Sequence, residues 1–241
     1  MDSQASVSIL NQVFGYEQNC YADRNGFYMI DWNIEKHIGV DLALHGDRMC
    51  YDNHVTMSTR NDKVNPNSAN INAIYKISQD NYTQKCAFST LLQVMSLLDY
   101  PLPKTDEGKA FLLSIDSAYL GYYSDRFKDM WLYYMEKLGY TELIDLVKKY
   151  SKNDIASTKI DERLTFENGI LTFDKEKKEY AERLLEYEIY LPQQKFTERA
   201  TFQSNYAQKQ NGSEILNNNM LFSLAMTSAK NISYSVYSTI H

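Results

Sequence analysis

The chain is poor in the residues that staple or anchor a fold. Its three cysteines, Cys20, Cys50 and Cys86, are odd in number and show no C-x-x-C spacing. That excludes a disulfide framework and a zinc knuckle, and it points to a reducing, cytoplasmic compartment. The nine glycines are scattered, so there is no glycine-rich phosphate loop. No G-x-S-x-G elbow or Cys-His signature occurs, which removes the common nucleophile constellations. No apolar run approaches the roughly 20 residues of a membrane span, and "MDSQASVSILNQ" has no basic region followed by a long apolar stretch. Neither export nor membrane insertion is expected. Positive charge is also short, with a net charge of -6 and a pI near 5.3. Extended non-specific nucleic-acid binding, which depends on neutralising phosphates, is therefore not expected. A cleft holding one phosphate beside a metal is not excluded.

What is present suffices for a real core: 241 residues, 44% of them hydrophobic, can bury one large domain or a domain with a smaller appendage. The 20 tyrosines read first as half-buried core and surface residues. "GFYMID", from Gly26 to Asp31, and "IGVDLAL", from Ile38 to Leu44, have strand character. Only His45, Gly46 and Asp47 separate "IGVDLAL" from "RMCYD", a spacing that predicts an antiparallel hairpin. Pro66 fixes a turn, after which Ser68 or Asn70 can cap a helix that turns Ile71, Ile74 and Ile77 inward.

In "YTQKCAFSTLLQVMSLLDY", Phe88, Leu91, Leu92, Met95 and Leu98 recur at helical spacing, and "PLP" stops the helix. "AFLLSID", from Ala110 to Asp116, has the continuous apolar character of a central strand. Ser124 caps a helix ending at Gly139, and "TELIDLVKKY" is a short helix with acids first and lysines last. Asn168-Gly169 marks a type I′ hairpin, "KEKKEYAERLLEYE" a solvated helix, and "MLFSLAMT" with "ISYSVYS" a last strand pair. The polar stretch from Gln203 to Asn219 predicts a flexible loop. The fold class expected is α/β, a mixed sheet with flanking helices over residues 1–150, followed by a smaller α+β C-terminal region with two hairpins over 151–241.

Asp31, Asp52 and Asp116 end predicted strands, and Asp41 interrupts another. Aspartates at the carboxyl ends of parallel strands converge where α/β sheets bind ligands, and converging carboxylates call for a cation. Asp41, Asp52 and Asp116 would offer oxygens to Mn²⁺ or Mg²⁺, and His54 would add an imidazole that Mn²⁺ accepts. Such a site polarises a phosphoryl oxygen and acidifies bound water. The alternative for Asp52 and Asp116 is structural, as Asx-turn or N-cap residues. An antiparallel hairpin would also turn Asp52 to the face opposite Asp41. His37 and His45 sit on turns, and His241 is terminal.

The order "GVDLAL", "YDNHV", "NPNSANINAI" and "LLSIDSAYLGYY", from about Ile30 to Tyr123, resembles the DHH phosphoesterase superfamily, which includes RecJ-type exonucleases, oligoribonucleases and cyclic-dinucleotide hydrolases. The resemblance implies an α/β fold and a metal-dependent phosphodiesterase acting on a nucleic-acid end, a short oligonucleotide or a cyclic dinucleotide. It implies Asp52, His54 and Asp116 as catalytic residues, with Asp41 joining them as metal ligand. Asn53, whose amide would hydrogen-bond a phosphate or a backbone group, joins Ser68 and Asn70 as the expected binding residues. Two positions depart from the family: Asn53 replaces the middle His of its signature, and only Asp23 and Asp31, the latter in "DWN", stand where it opens with Asp-x-Asp. Its glycine-rich C-terminal motif is absent. The other class consistent with these departures is a catalytically degenerate relative, an interaction or nucleotide-sensing module of a bacterium or its phage. The expected partner is a nucleotide or short oligonucleotide, not a membrane, and the oligomeric state is left open.

Overall fold

The computed structural model describes residues 1–240, with only the backbone of Ser213; His241 lies outside the described residues. The protein is mixed α/β. Its strands are β1 (Cys20–Ala22), β2 (Gly26–Met29), β3 (Gly39–Val40), β4 (Cys50–Tyr51), β5 (Ser68–Ala69), β6 (Thr165–Glu167), β7 (Ile170–Thr172), β8 (Thr197–Gln208), β9 (Leu221–Met226) and β10 (Asn231–Ile240). The chain does not divide near residue 150. It forms two interleaved units, one of residues Met1–Tyr16, Cys86–Phe166 and Leu171–Leu191, the other of Glu17–Lys85, Glu167–Ile170 and the segment from Pro192 onward.

The first unit is helical. Ser89 caps the Thr90–Leu97 helix through a bond from Leu92 N–H, and Leu91, Leu92 and Met95 are buried as their spacing predicts. Asp2 accepts from the backbone N–H groups of Thr90 and Leu91, at 2.8 and 2.7 Å, satisfying two first-turn donors with a carboxylate. "AFLLSID" is not a strand. The Asp106–Ser114 helix carries it, capped by Thr105 with Asp106 and Glu107 in its first turn. Ala110, Phe111, Leu112 and Leu113 are all buried, so the apolar run reflects the buried C-terminal part of a helix whose first turn is partly exposed, a pattern that a short run shares with a central strand. At Gly108 a Cβ would meet the Leu184 carbonyl at 2.4 Å, so the missing side chain permits close packing against the Lys175–Leu185 helix. The β6–β7 hairpin turns on Asn168 (φ 52°) and Gly169 (φ 78°), as a type I′ turn requires.

The second unit is built on a five-stranded sheet in the order β1-β2-β8-β10-β9, antiparallel throughout. The stretch expected to be a loop from Gln203 to Asn219 begins as strand, since β8 pairs with β10 from Gln208↔Asn231 to Ala200↔Ile240, and continues as a 3-10 turn, Lys209–Asn211, and a short helix, Gly212–Leu216. Its polarity belongs to sheet positions held by hydroxyl pairs, Ser204 with Ser235 and Thr201 with Ser238, each at 3.0 Å. Ala200 and Phe202 of the same strand pack with Leu44, Cys50 and Phe222. A further cluster of Val55, Ile77, Ile215, Leu221, Leu224, Met226 and Ile232 completes the unit's core.

The predicted hairpin between "IGVDLAL" and "RMCYD" is corrected by β3, β4 and β5, which form a three-stranded parallel sheet in which Val40, Tyr51 and Ala69 stand in one row. The spacing argument failed because the first strand is shorter than its apolar run. Asp41 takes a left-handed φ of 55°, ending β3 and freeing the chain through Met49 to return in parallel. The helix after Pro66 is one turn, Ile71–Ile74, capped by Asn70 and not Ser68. Ile74 is exposed there instead of turning inward, whereas Ile77 is buried.

Candidate metal centre

The parallel register decides what the strand ends present. Asp41, Asp52 and Asn70 each follow the last paired residue of β3, β4 and β5. The ladder runs on through Asp41 N–H to the Tyr51 carbonyl at 2.8 Å and Asp52 N–H to the Ala69 carbonyl at 3.3 Å. Three polar side chains therefore leave neighbouring strands at one level, outside their carboxyl ends. Asp41 tolerates its positive φ better than most residues, because a short polar side chain relieves the left-handed conformation.

The loop that follows β4 is built around a buried carboxylate. Asp52, 1% exposed, accepts from His54 Nδ1 at 2.7 Å, from His54 N–H at 3.2 Å and from Asn70 Nδ2 at 3.1 Å. Asn70 is fully used: its other amide hydrogen goes to the His54 carbonyl at 2.7 Å, and its Oδ1 caps the short helix through Asn72 and Ala73 N–H. Buried Asn72 donates to the Asn53 carbonyl at 2.7 Å. Two asparagine amides thus clamp residues 52–54, and the structural reading of Asp52 as a turn residue is realised.

Ligand atoms of Asp41, Asp52 and His54 all lie within 4.8 Å of one another. Two ligands of a cation with bonds of about 2.0–2.6 Å stand at most about 5 Å apart, so this donor set fits one divalent ion. Three hydrogen bonds leave Asp52 one of about four lone-pair positions, on Oδ1. No family model, curated protein or solved structure matches the chain.

Of the residues expected to gather here, Asp41, Asp52 and His54 come together. Asp116 does not join them: it belongs to the helical unit, on a 3-10 segment at φ 50°. Asn70 supports Asp52 instead of facing a ligand, Asn53 is held through its carbonyl, and Ser68 sits within β5. Asn72 escaped the sequence reading, although the repeated asparagines of "NSANIN" were its available signal. Neither His37 nor His45 belongs to the group, and burial holds both imidazoles below their usual pKa.

Beside the group lies a cleft of about 400 Å³ bordered by Asp41, His54, Arg24, Ser223, Ser233 and Ser235. Its size is that of a small-molecule site.

Proposed function

We propose that the protein holds a divalent cation, Mn²⁺ or Mg²⁺, at Asp41, Asp52 and His54 and hydrolyses a phosphodiester in the adjoining cleft, as a divergent DHH-like phosphoesterase. The observation that carries this reading is the convergence of three ligand atoms within 4.8 Å at the ends of parallel strands. Bound there, the ion would polarise a phosphoryl oxygen and acidify a water. Asp52 fixes the His54 ring, and Asp41 supplies negative charge at the cleft wall. The substrate class that fits is a nucleic-acid end, a short oligonucleotide or a cyclic dinucleotide, since the acidic chain does not favour a long polyanion. A cytoplasmic setting accords with three unbridged cysteines. Among the described residues no helix is long and apolar enough to cross a membrane.

A second reading has a specific observation behind it. Among the described residues one group of three metal-capable side chains exists, and Asp116 is outside it. A two-metal clamp on attacking and leaving oxygens is then not supplied, which favours a nucleotide-sensing or interaction module. Titration with Mn²⁺ followed by assay on short DNA, short RNA and cyclic dinucleotides separates the two. Hydrolysis lost at least a hundredfold in Asp41→Asn, with Asp116→Asn unaffected, supports the enzyme. Metal or nucleotide binding without turnover supports the module. Absence of both refutes the metal centre.

A further inference from the structure

The cleft beside the metal group exists because its floor is made of small side chains. On neighbouring β9 and β10, Ser223 stands opposite Ser235 and Ala225 opposite Ser233, positions where strands ordinarily carry β-branched or aromatic residues. Larger residues there would project into the space. The hydroxyls have a fixed polarity as well. Ser204 donates its one hydroxyl hydrogen to the Arg24 carbonyl at 2.6 Å, so in its 3.0 Å contact with Ser235 it can only accept. Ser235 is the donor, and its remaining lone pairs can receive a hydrogen from a ligand.

The same bond pins the turn that carries Arg24. Asp23, which also borders the cleft, closes that turn by accepting from Asn25 and Gly26 N–H at 2.7 and 3.0 Å on Oδ1. The Arg24 guanidinium lies 6.0 Å from the Tyr206 ring, a cation–π contact that orients its planar fork. The cleft wall therefore combines an arginine suited to a phosphate with a hydroxyl acceptor suited to an alcohol.

We propose that the cleft takes a phosphorylated sugar, either free or as the terminal ribose phosphate of a nucleotide. Arg24 pairs with its phosphate, and Ser235, with Ser223 and Ser233 beside it, receives its hydroxyls. Acting on such a ligand rests on the metal reading above; binding it does not. A cleft of this volume admits a terminal unit and not a length of polymer.

Calorimetry on the whole chain tests this with ribose 5-phosphate, ribose, inorganic phosphate and adenosine monophosphate, each with and without Mn²⁺. Ribose 5-phosphate is expected to bind at least tenfold more tightly than ribose or phosphate. Arg24→Ala should weaken it tenfold or more, and Ser235→Val, which keeps a good strand former while filling the floor, should remove it, both with Mn²⁺ affinity and melting temperature unchanged. Tighter binding of the monophosphate assigns the nucleotide, and equal binding the free sugar phosphate. Ribose 5-phosphate binding no better than phosphate under both conditions overturns the inference, as does wild-type affinity in both variants. Arg24-dependent binding by a protein that takes up no Mn²⁺ would refute the metal centre and leave the sugar-phosphate cleft standing.

Discussion

Replacing Asp52 by alanine tests whether the strand-end loop is organised around this carboxylate. Three donors lose their acceptor: His54 N–H, His54 Nδ1 and Asn70 Nδ2. They are not equivalent. The His54 side chain is 41% exposed, so water can replace its partner. Asn70 is 1% exposed, and a buried donor left without an acceptor costs about 1–3 kcal/mol. Adding about 1 kcal/mol for the half-buried backbone N–H gives a loss of roughly 2–4 kcal/mol. Asp52→Asn keeps one acceptor oxygen and should lose about half as much. Urea denaturation reads this as a lower midpoint at unchanged slope, and Mn²⁺ calorimetry on the same samples should show at least a hundredfold weaker binding in both variants. A loss below about 0.5 kcal/mol in Asp52→Ala would show that the carboxylate does not hold the loop, and wild-type Mn²⁺ affinity in either variant that it does not serve a cation.

Three further outcomes are expected. Leu91→Ala, fully buried in the helix after Ser89, should cost about 2–5 kcal/mol by urea denaturation. Gly108→Ala should destabilise by about 1–3 kcal/mol despite alanine's higher helix propensity, because its Cβ meets the Leu184 carbonyl; a thermal scan showing stabilisation would refute the close contact. Burial raises the Glu162 carboxyl above its usual pKa, against the lowering influence of the N-terminal amine and Lys159, and its Oε1 has no hydrogen-bond partner. The folded state therefore holds this proton more tightly than the unfolded chain, and stability falls as pH rises from the ordinary carboxylate value through the raised one. Glu162→Gln should be more stable than wild type at pH 7, by up to about 1 kcal/mol, with the difference vanishing below about pH 4 in melting curves.

The sequence carried the helices and hairpins whose signals are local. Asn168-Gly169 acts on its immediate neighbours and performed as read, as did the helical stripe of Leu91, Leu92 and Met95. It also carried the proximity of Asp41 to Asp52 and His54, although by an unforeseen route. The hairpin argument would have turned Asp52 away from Asp41, and the left-handed Asp41 made the sheet parallel instead. The strand read at "AFLLSID" is a helix because a short apolar run fits a buried strand and a buried helix segment equally well. The polar residues of β8 resembled a loop because their partners lie in β10 and not nearby in the chain. Arg24 and the serine floor of the cleft gave no local signal, since they meet only when β1, β9 and β10 join one sheet.

That sheet also sets a timetable for synthesis. β2 pairs with β8, Gly26 against Thr201 and Phe27 against Ala200, so β2 has to wait for a strand made much later. The isolated β1–β2 hairpin is at best marginal in water, and Leu44 and Cys50 meet Ala200, Phe202 and Phe222 only once β8 and β9 have emerged. Until then the nascent chain carries unpaired strand edges and uncovered apolar side chains, the condition that exposes slow, non-local β topologies to aggregation. The helical unit, by contrast, lies entirely before residue 192, so all of its chain is made before β8, β9 and β10.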